Sequence, residues 1–306
     1  DEKDFDLFVQ DTLKAGKYKN SMEAVKTLVY ESIDNINEVV DFGAHFDKVN
    51  ENFKYTKEGA HSTSRIVHTK DETGKELFLS LLAALKNKKN VKIFENTTLL
   101  DLITKDNICF GGTAIRGKER INIYSRETIL ATGGIGGLFK NSTSRRRLTG
   151  DGIAIALRHN IKTSDLNYVQ FHPTALYDDK VNCEKFLISE SLRGEGAKLL
   201  NECGERFVDE LLPRDVVAKA VYNEEEKSKK PYVFLDISFK GKEYIIDRFP
   251  GIYKKCLECG IDITKNKIPV TPVQHYHMGG LAVDLDSKTS MNHLFACGEV
   301  SCTGEI

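Results

Sequence analysis

Apolar residues recur at helical spacing over residues 20–42, where Val25, Leu28, Val29, Ile33, Ile36 and Val40 form one stripe. Asn20 and Glu23 have capping-box spacing ahead of it, and Gly43 supplies a stop. A second helix is expected from about Lys75 to Lys89, with Phe78, Leu81, Leu82 and Leu85 inward and lysines in the last turn. From Val91 to Thr132 the pattern changes to strands: VKIF, TLLDLIT, ICFGGTAIRG, INIY and ETILAT, with a turn at Asp106-Asn107. Further on, IAIALRHN reads as a helix, YVFLDIS as a strand, EYIIDRFPGIYKKCLECGI as helical around Pro250, and LFACGEVSCTG as a buried strand. Pro213 reads as a first-turn proline with Arg214 and Asp215 at a helix start, and residues 223–231 as an exposed lysine- and glutamate-rich segment.

Composition narrows the class. With 306 residues and 40% hydrophobic content, the chain can build roughly two domains with sizeable cores. Its 44 basic and 45 acidic residues nearly cancel, so no net field argues for nucleic acid or an anionic membrane. No apolar run reaches membrane-spanning length, and DEKDFDLF is neither a signal nor a transit peptide, so the expected location is cytoplasmic. Seven scattered cysteines, Cys109, Cys183, Cys203, Cys256, Cys259, Cys297 and Cys302, suit reduced thiols. Cys256 and Cys259 have zinc-like spacing without a second pair, and no metal site is expected.

Several stretches carry candidate chemistry. YTKEGAHSTSRIVHTKDETG fits neither period and holds Glu58, His61, Arg65 and His68, as a plain loop or a ligand-facing one. The strand ETILAT runs into glycines at 133, 134, 136 and 137, which mark a tight turn or the close passage of a ligand, without forming the primary dinucleotide fingerprint. The arginines of KNSTSRRRLTG read as a solvated loop. His172 precedes Pro173 and is biased towards extended backbone. In FLISESLRGEGAKLL, Glu190, Arg193 and Glu195 stand among apolar residues and glycines, and each needs a partner or a ligand. A structural ion pair and a working site both satisfy that need.

In this order and spacing, QFHPTAL, FLISESLRGEGA, LLPRDVVAKA, FLDIS, PVTPVQHYHMGG and LFACGEVSCTG resemble the succinate dehydrogenase and fumarate reductase flavoprotein family, and within it the branch that oxidises L-aspartate. EGAHSTSRIVHTKDETG and ILATGGIGGLF extend the resemblance over nearly the whole chain. It implies an α/β FAD-binding domain, Rossmann-like, incomplete and discontinuous, over residues 1–165 and 276–306, with an inserted α+β capping domain over residues 166–275. Family members begin with a Gly-x-Gly-x-x-Gly turn and continue beyond the position of Gly304, so the chain is expected to be part of a longer protein.

The implied activity is oxidation of L-aspartate to iminoaspartate with non-covalent FAD, oxygen or fumarate as acceptor, in NAD biosynthesis, with quinolinate synthase as a partner. The resemblance assigns catalysis to Arg214, with Glu190 and Arg193 relaying protons. His172, Ser189 and His275 would bind the substrate carboxylates, and Glu58 its ammonium group. Asp151 and Glu299 would contact FAD, Thr98 and Leu99 would offer backbone to its adenine, and Ala131, Thr132, Gly133 and Gly134 would pass close to the dinucleotide. Glu195 is expected to have a structural partner. The rival readings are a succinate dehydrogenase or fumarate reductase flavoprotein subunit and a non-catalytic remnant without FAD.

Overall fold

The computed structural model describes residues 4–179 and 184–305, so Cys183 lies outside the described residues. One core forms around a four-stranded antiparallel sheet in the order Val169–Leu176, Ile268–His277, Val233–Asp236, Lys198–Leu200. Leu176, Ile188, Leu192, Leu199, Val217 and Phe249 fill it, drawn from the sheet and from the helices packed on it. The Val169–Leu176 and Ile268–His277 strands run from Val169 opposite His277 to Leu176 opposite Val270, with two irregularities. At the first, Gln170 pairs with Tyr276 and Phe171 with Gln274, leaving His275 as the extra, re-aimed residue of a bulge. At the second lie Pro173 and Pro272, neither of which can donate to the ladder.

A second core joins segments far apart in sequence: Leu102, Leu130, Ile153, Leu281, Leu294 and Val300. Thr128–Leu130 pairs in parallel with Leu294–Ala296, so both strands end at one edge, at Ala131 and at Cys297. Beside them Thr97–Lys105, Ile108–Arg116 and Glu119–Tyr124 form an antiparallel meander. Its first turn is the expected one, with Asp106 and Asn107 both at positive φ as a type I′ hairpin requires.

Residues 57–72 fasten to the first of these cores. Asp71 accepts from Gly251 N at 3.3 Å and Ile252 N at 2.8 Å, at the start of the helix Pro250–Glu258. Arg248 Nη1 donates to Lys70 O at 2.5 Å, and its Nε to Glu195 at 3.4 Å. Glu195 also accepts from Tyr244 Oη at 2.6 Å, which gives it the structural partners expected.

Several element expectations need correction. The helix over residues 20–42 is two helices, Met22–Tyr30 and Ser32–Asp41. Ser32 Oγ donates to Val29 O at 2.7 Å, a local bond that competes with the helical ladder. Ser21 rather than Asn20 caps the first helix, accepting from Ala24 N at 3.3 Å, while Asn20 reaches Glu305 O. The second predicted helix is Thr73–Lys86, and Phe78, Leu81 and Leu85 are exposed rather than inward. Helical spacing fixes which residues share a face; whether that face is covered is a tertiary matter. VKIF forms no strand, because pairing begins only at Thr97 and a β-prone run needs a partner. Residues 223–228 complete the helix Arg214–Ser228, as their good helix formers allow, and Pro213 sits at its N-cap rather than inside the first turn.

Candidate functional site

The helix Glu190–Gly194 starts at Ser189, whose hydroxyl accepts from Ser191 N at 3.3 Å and Ser191 Oγ at 2.9 Å. That cap places Glu190 in the first turn, where a carboxylate suits the dipole, and Arg193 three residues on along the same face. Both are buried, Glu190 at 5% exposure and Arg193 at 1%. Glu190 answers its burial with three contacts: Arg214 Nε at 2.5 Å, Gly59 N at 2.9 Å and Arg193 Nη2 at 3.4 Å. Arg193 Nη1 donates to Glu210 O at 2.6 Å. Gly194 permits this closeness, since a Cβ there would lie 2.3 Å from Lys57 O.

Arg214 opens its helix with one guanidinium edge on Glu190 and Nη1 on Gln170 Oε1 at 2.8 Å. Its side chain is 30% exposed, on the wall of a cavity of about 1220 Å³. Glu58, Glu190, Arg214, His61 and Gln170 all line that cavity. Burial, then the neighbouring charge of Glu190, raises the Glu58 carboxyl above its ordinary range against the pull of Arg214 and Arg193.

His172, Ser189 and His275 are not among the lining residues of that cavity. The two histidines stand together on the bulged strand pair, ring centroids 5.2 Å apart. Burial, then Arg214, holds His172 well below the usual histidine range and His275 down to about 4, so both imidazoles are neutral near pH 7. His172 Nδ1 accepts from Thr174 N at 3.2 Å, which puts its proton on Nε2. His275 Nδ1 meets Thr143 Oγ1 at 2.8 Å; assigning the hydroxyl as donor leaves its Nε2 protonated too. Arg214, felt electrostatically by both rings, links this pair to the cavity.

The proposed cofactor residues gather around the carboxyl ends of the parallel strands, with the Thr98 and Leu99 strand alongside. Glu299 accepts from His277 N at 2.8 Å and lies so close to Gly134 that a Cβ there would be 2.5 Å from Glu299 Oε1. Thr132 Oγ1 is buried with no partner, a hydroxyl that wants a ligand's polar atom. Asp151 begins the helix Asp151–Arg158 and accepts from Thr149 Oγ1 at 2.8 Å. Thr98 and Leu99 pair with Ile115 and Ala114 on an outer strand of their sheet, whose other edge has no paired strand among the described residues, although Leu100 O there accepts from Arg158 Nη2 at 3.1 Å. The outer edge, the orphaned hydroxyl and the glycine turn fit an extended dinucleotide. Among the described residues no group of histidine, cysteine, aspartate or glutamate side chains could hold a metal ion.

Sequence reasoning assigned no role to Gln170, although it stands two residues before His172 in QFHPTAL. It gave none to His61 either, although it had noted that residue's loop.

The family model described as FAD binding domain matches residues 1–305. The L-aspartate oxidase of Clostridium acetobutylicum is 60% identical over 304 residues, covering 99% of this chain and 70% of that protein. The L-aspartate oxidase of Neisseria meningitidis is 38% identical over 312 residues, covering 99% and 62%. Among solved structures, a variant of E. coli quinol fumarate reductase superposes with a TM-score of 0.90 at 26% identity, covering 98% of this chain and 55% of that one. Mycobacterium smegmatis Sdh1 in complex with UQ1 gives 0.78 at 32%, covering 98% and 54%.

Proposed function

The chain belongs to the family whose model is described as FAD binding domain and is similar to these L-aspartate oxidases, and from that premise we propose that it carries the substrate-gripping part of an FAD-dependent L-aspartate oxidase. The observation that carries the reading is the Glu190–Arg214 pair on the wall of a cavity that Glu58 also lines. A buried carboxylate fixes a partly open guanidinium there, beside a second carboxylate. An aspartate substrate has two carboxylates and one ammonium group, the complement of such a set.

FAD, when bound, supplies the hydride acceptor. Thr132, Gly133, Gly134, Asp151 and Glu299 would hold it, with Ala131, Thr98 and Leu99 along its length. The protein's own residues grip the dicarboxylate and manage protons. Arg214 spends Nε on Glu190 and Nη1 on Gln170, leaving Nη2 for a substrate carboxylate. His172 and His275 serve as neutral Nε2 donors, and the Ser189 hydroxyl adds a further contact. Glu58 takes the ammonium group, which must shed a proton before its carbon can be oxidised. Arginine stays protonated in water, so Arg214 acts by charge and by exchange of a proton with Glu190, and Arg193 extends that relay.

The core around the four-stranded sheet supports a capping domain over residues 166–275, with residues 57–72 fastened to it, and the core of Leu102, Leu130, Leu281 and Leu294 supports an FAD domain drawn from either side. Among the described residues no helix is long and apolar enough to cross a membrane. The reading extends to a cytoplasmic enzyme that passes its water-sensitive imine to a quinolinate-forming partner. The test is turnover of the FAD-loaded protein with L-aspartate, using oxygen and then fumarate as acceptor, against succinate. Oxidation of L-aspartate with succinate inert is expected; succinate oxidation without aspartate turnover would overturn the reading.

A further inference from the structure

His61 has no role in the site described so far. It sits in the loop between the paired strands Tyr55–Thr56 and Ile66–Val67, three residues after Glu58, and its backbone N–H closes a turn on Glu58 O at 3.4 Å. The loop is pinned from outside: Ser62 Oγ and Arg65 Nη1 both donate to the buried Asp11, at 2.6 and 2.7 Å. The His61 ring stands edge-on to Phe8, centroids 6.4 Å apart and planes at 87°. Placement and neighbours therefore hold the imidazole against the cavity that Glu58, Glu190 and Arg214 line.

The two ring nitrogens differ. Nδ1 is sealed from solvent and has no partner, so a ring that lines the cavity meets it through Nε2. An orphaned buried N–H is the rarer and costlier defect, which places the proton on Nε2 and leaves only a lone pair unmatched at Nδ1. Burial, then the Arg65 charge, lowers the affinity of the ring for a second proton. A neutral donor suits this position: a cation three residues from Glu58 would neutralise that carboxylate and repel an incoming ammonium group.

We propose that His61 is a further substrate-binding residue that donates from Nε2 to the α-carboxylate of the amino-acid substrate while Glu58 accepts from its α-ammonium group. One short loop then reads both charges of the zwitterion with one acceptor and one uncharged donor. The inference rests on the functional reading above and deepens it.

The test uses the FAD-loaded protein and His61→Phe, which keeps an aromatic edge on Phe8. The expected result is a KM for L-aspartate raised roughly ten- to a hundred-fold, with kcat altered by less than about three-fold, as loss of one hydrogen bond to a charged group gives. Succinate affinity, read from the flavin absorbance change, should fall with it, and His61→Gln should recover most of both. Glu58→Gln should instead weaken aspartate while sparing succinate. In unsubstituted protein labelled with ¹⁵N-histidine, the His61 signals should show the Nε2–H tautomer and move when succinate is added. That measurement decides the matter even if His61→Phe fails to fold. An unchanged KM and succinate affinity in His61→Phe, or an unmoved His61 resonance, overturns the inference. A wild-type protein with neither aspartate turnover nor a succinate-induced change overturns the functional reading instead.

Discussion

Glu190 Oε2 and Arg214 Nε meet at 2.5 Å across 24 residues of sequence, the carboxylate buried and the guanidinium partly open to the cavity. On the proposed reading the buried member positions the open one, which meets substrate, so substitutions at the two sites should fail differently. Arg214→Leu should retain FAD and lose turnover. Arg214→Lys should lose it nearly as completely, since an ammonium group cannot hold Glu190 and Gln170 while presenting a further donor. FAD content by absorbance and initial rates with L-aspartate check both.

Glu190→Ala leaves Arg193 buried without its carboxylate. Removing one partner of a buried pair costs about 3–5 kcal/mol, so this variant should lose stability as well as activity. Thermal unfolding of Glu190→Ala beside Arg214→Leu should show the larger drop in Glu190→Ala.

Gly194→Ala puts a methyl group 2.3 Å from Lys57 O, a backbone atom that can move only with its loop. Because that loop carries Glu58 and the N–H that Gly59 gives to Glu190, the expected damage is a raised KM for L-aspartate with FAD binding intact. A KM within two-fold of the wild type, roughly 0.4 kcal/mol, would show that the loop absorbs the methyl freely.

Thr132→Val removes a hydroxyl that has no partner inside the protein. The protein without FAD should be as stable or slightly more so, because an unsatisfied buried polar group has been replaced by an isostere. FAD retention should weaken. Calorimetric unfolding without cofactor and FAD titration separate the two effects.

The buried histidines set a pH dependence. His275 is held down to about 4 when folded, against 6.5 for a free side chain, and His172 shifts the same way. Below pH 6.5 the unfolded chain takes up protons that the folded one refuses, so this contribution is present above that value and is lost as pH falls towards 4. Glu58, raised when folded, tilts the curve the other way above its ordinary value of 4.5. His275→Gln isolates the histidine share: its melting temperature should fall less than that of wild type between pH 6.5 and 4.

How much of this could be read in the residues varies with the distance over which each feature is decided. The Asp106-Asn107 hairpin, the strand at Val233–Asp236 and the helix at Arg214 follow from local propensity and were legible. The break at Ser32 depends on one side-chain bond, and the fate of Phe78 and VKIF depends on what packs or pairs with them, which no local pattern encodes. For the site, the resemblance singled out Glu190, Arg214, His172 and His275, whereas the residues alone left Glu190 between a structural ion pair and a working site. They could not show that His275 occupies a bulge, that Gln170 holds the second edge of Arg214, or that the histidine pair stands apart from the lining of the main cavity.

Residues 57–72 are tied to the core of the four-stranded sheet at both ends, by Gly59 on Glu190 and by Asp71 and Lys70 on the start of the helix Pro250–Glu258 and on Arg248. A segment fastened at two points does not flap. On the proposed reading, opening this wall would carry the segment along with that core, as a domain rotation on the microsecond-to-millisecond scale instead of a loop's nanosecond fluctuation. Viscosity should slow ligand arrival accordingly, and a crosslink between residues 71 and 251 should leave it unchanged, because those two positions already travel together.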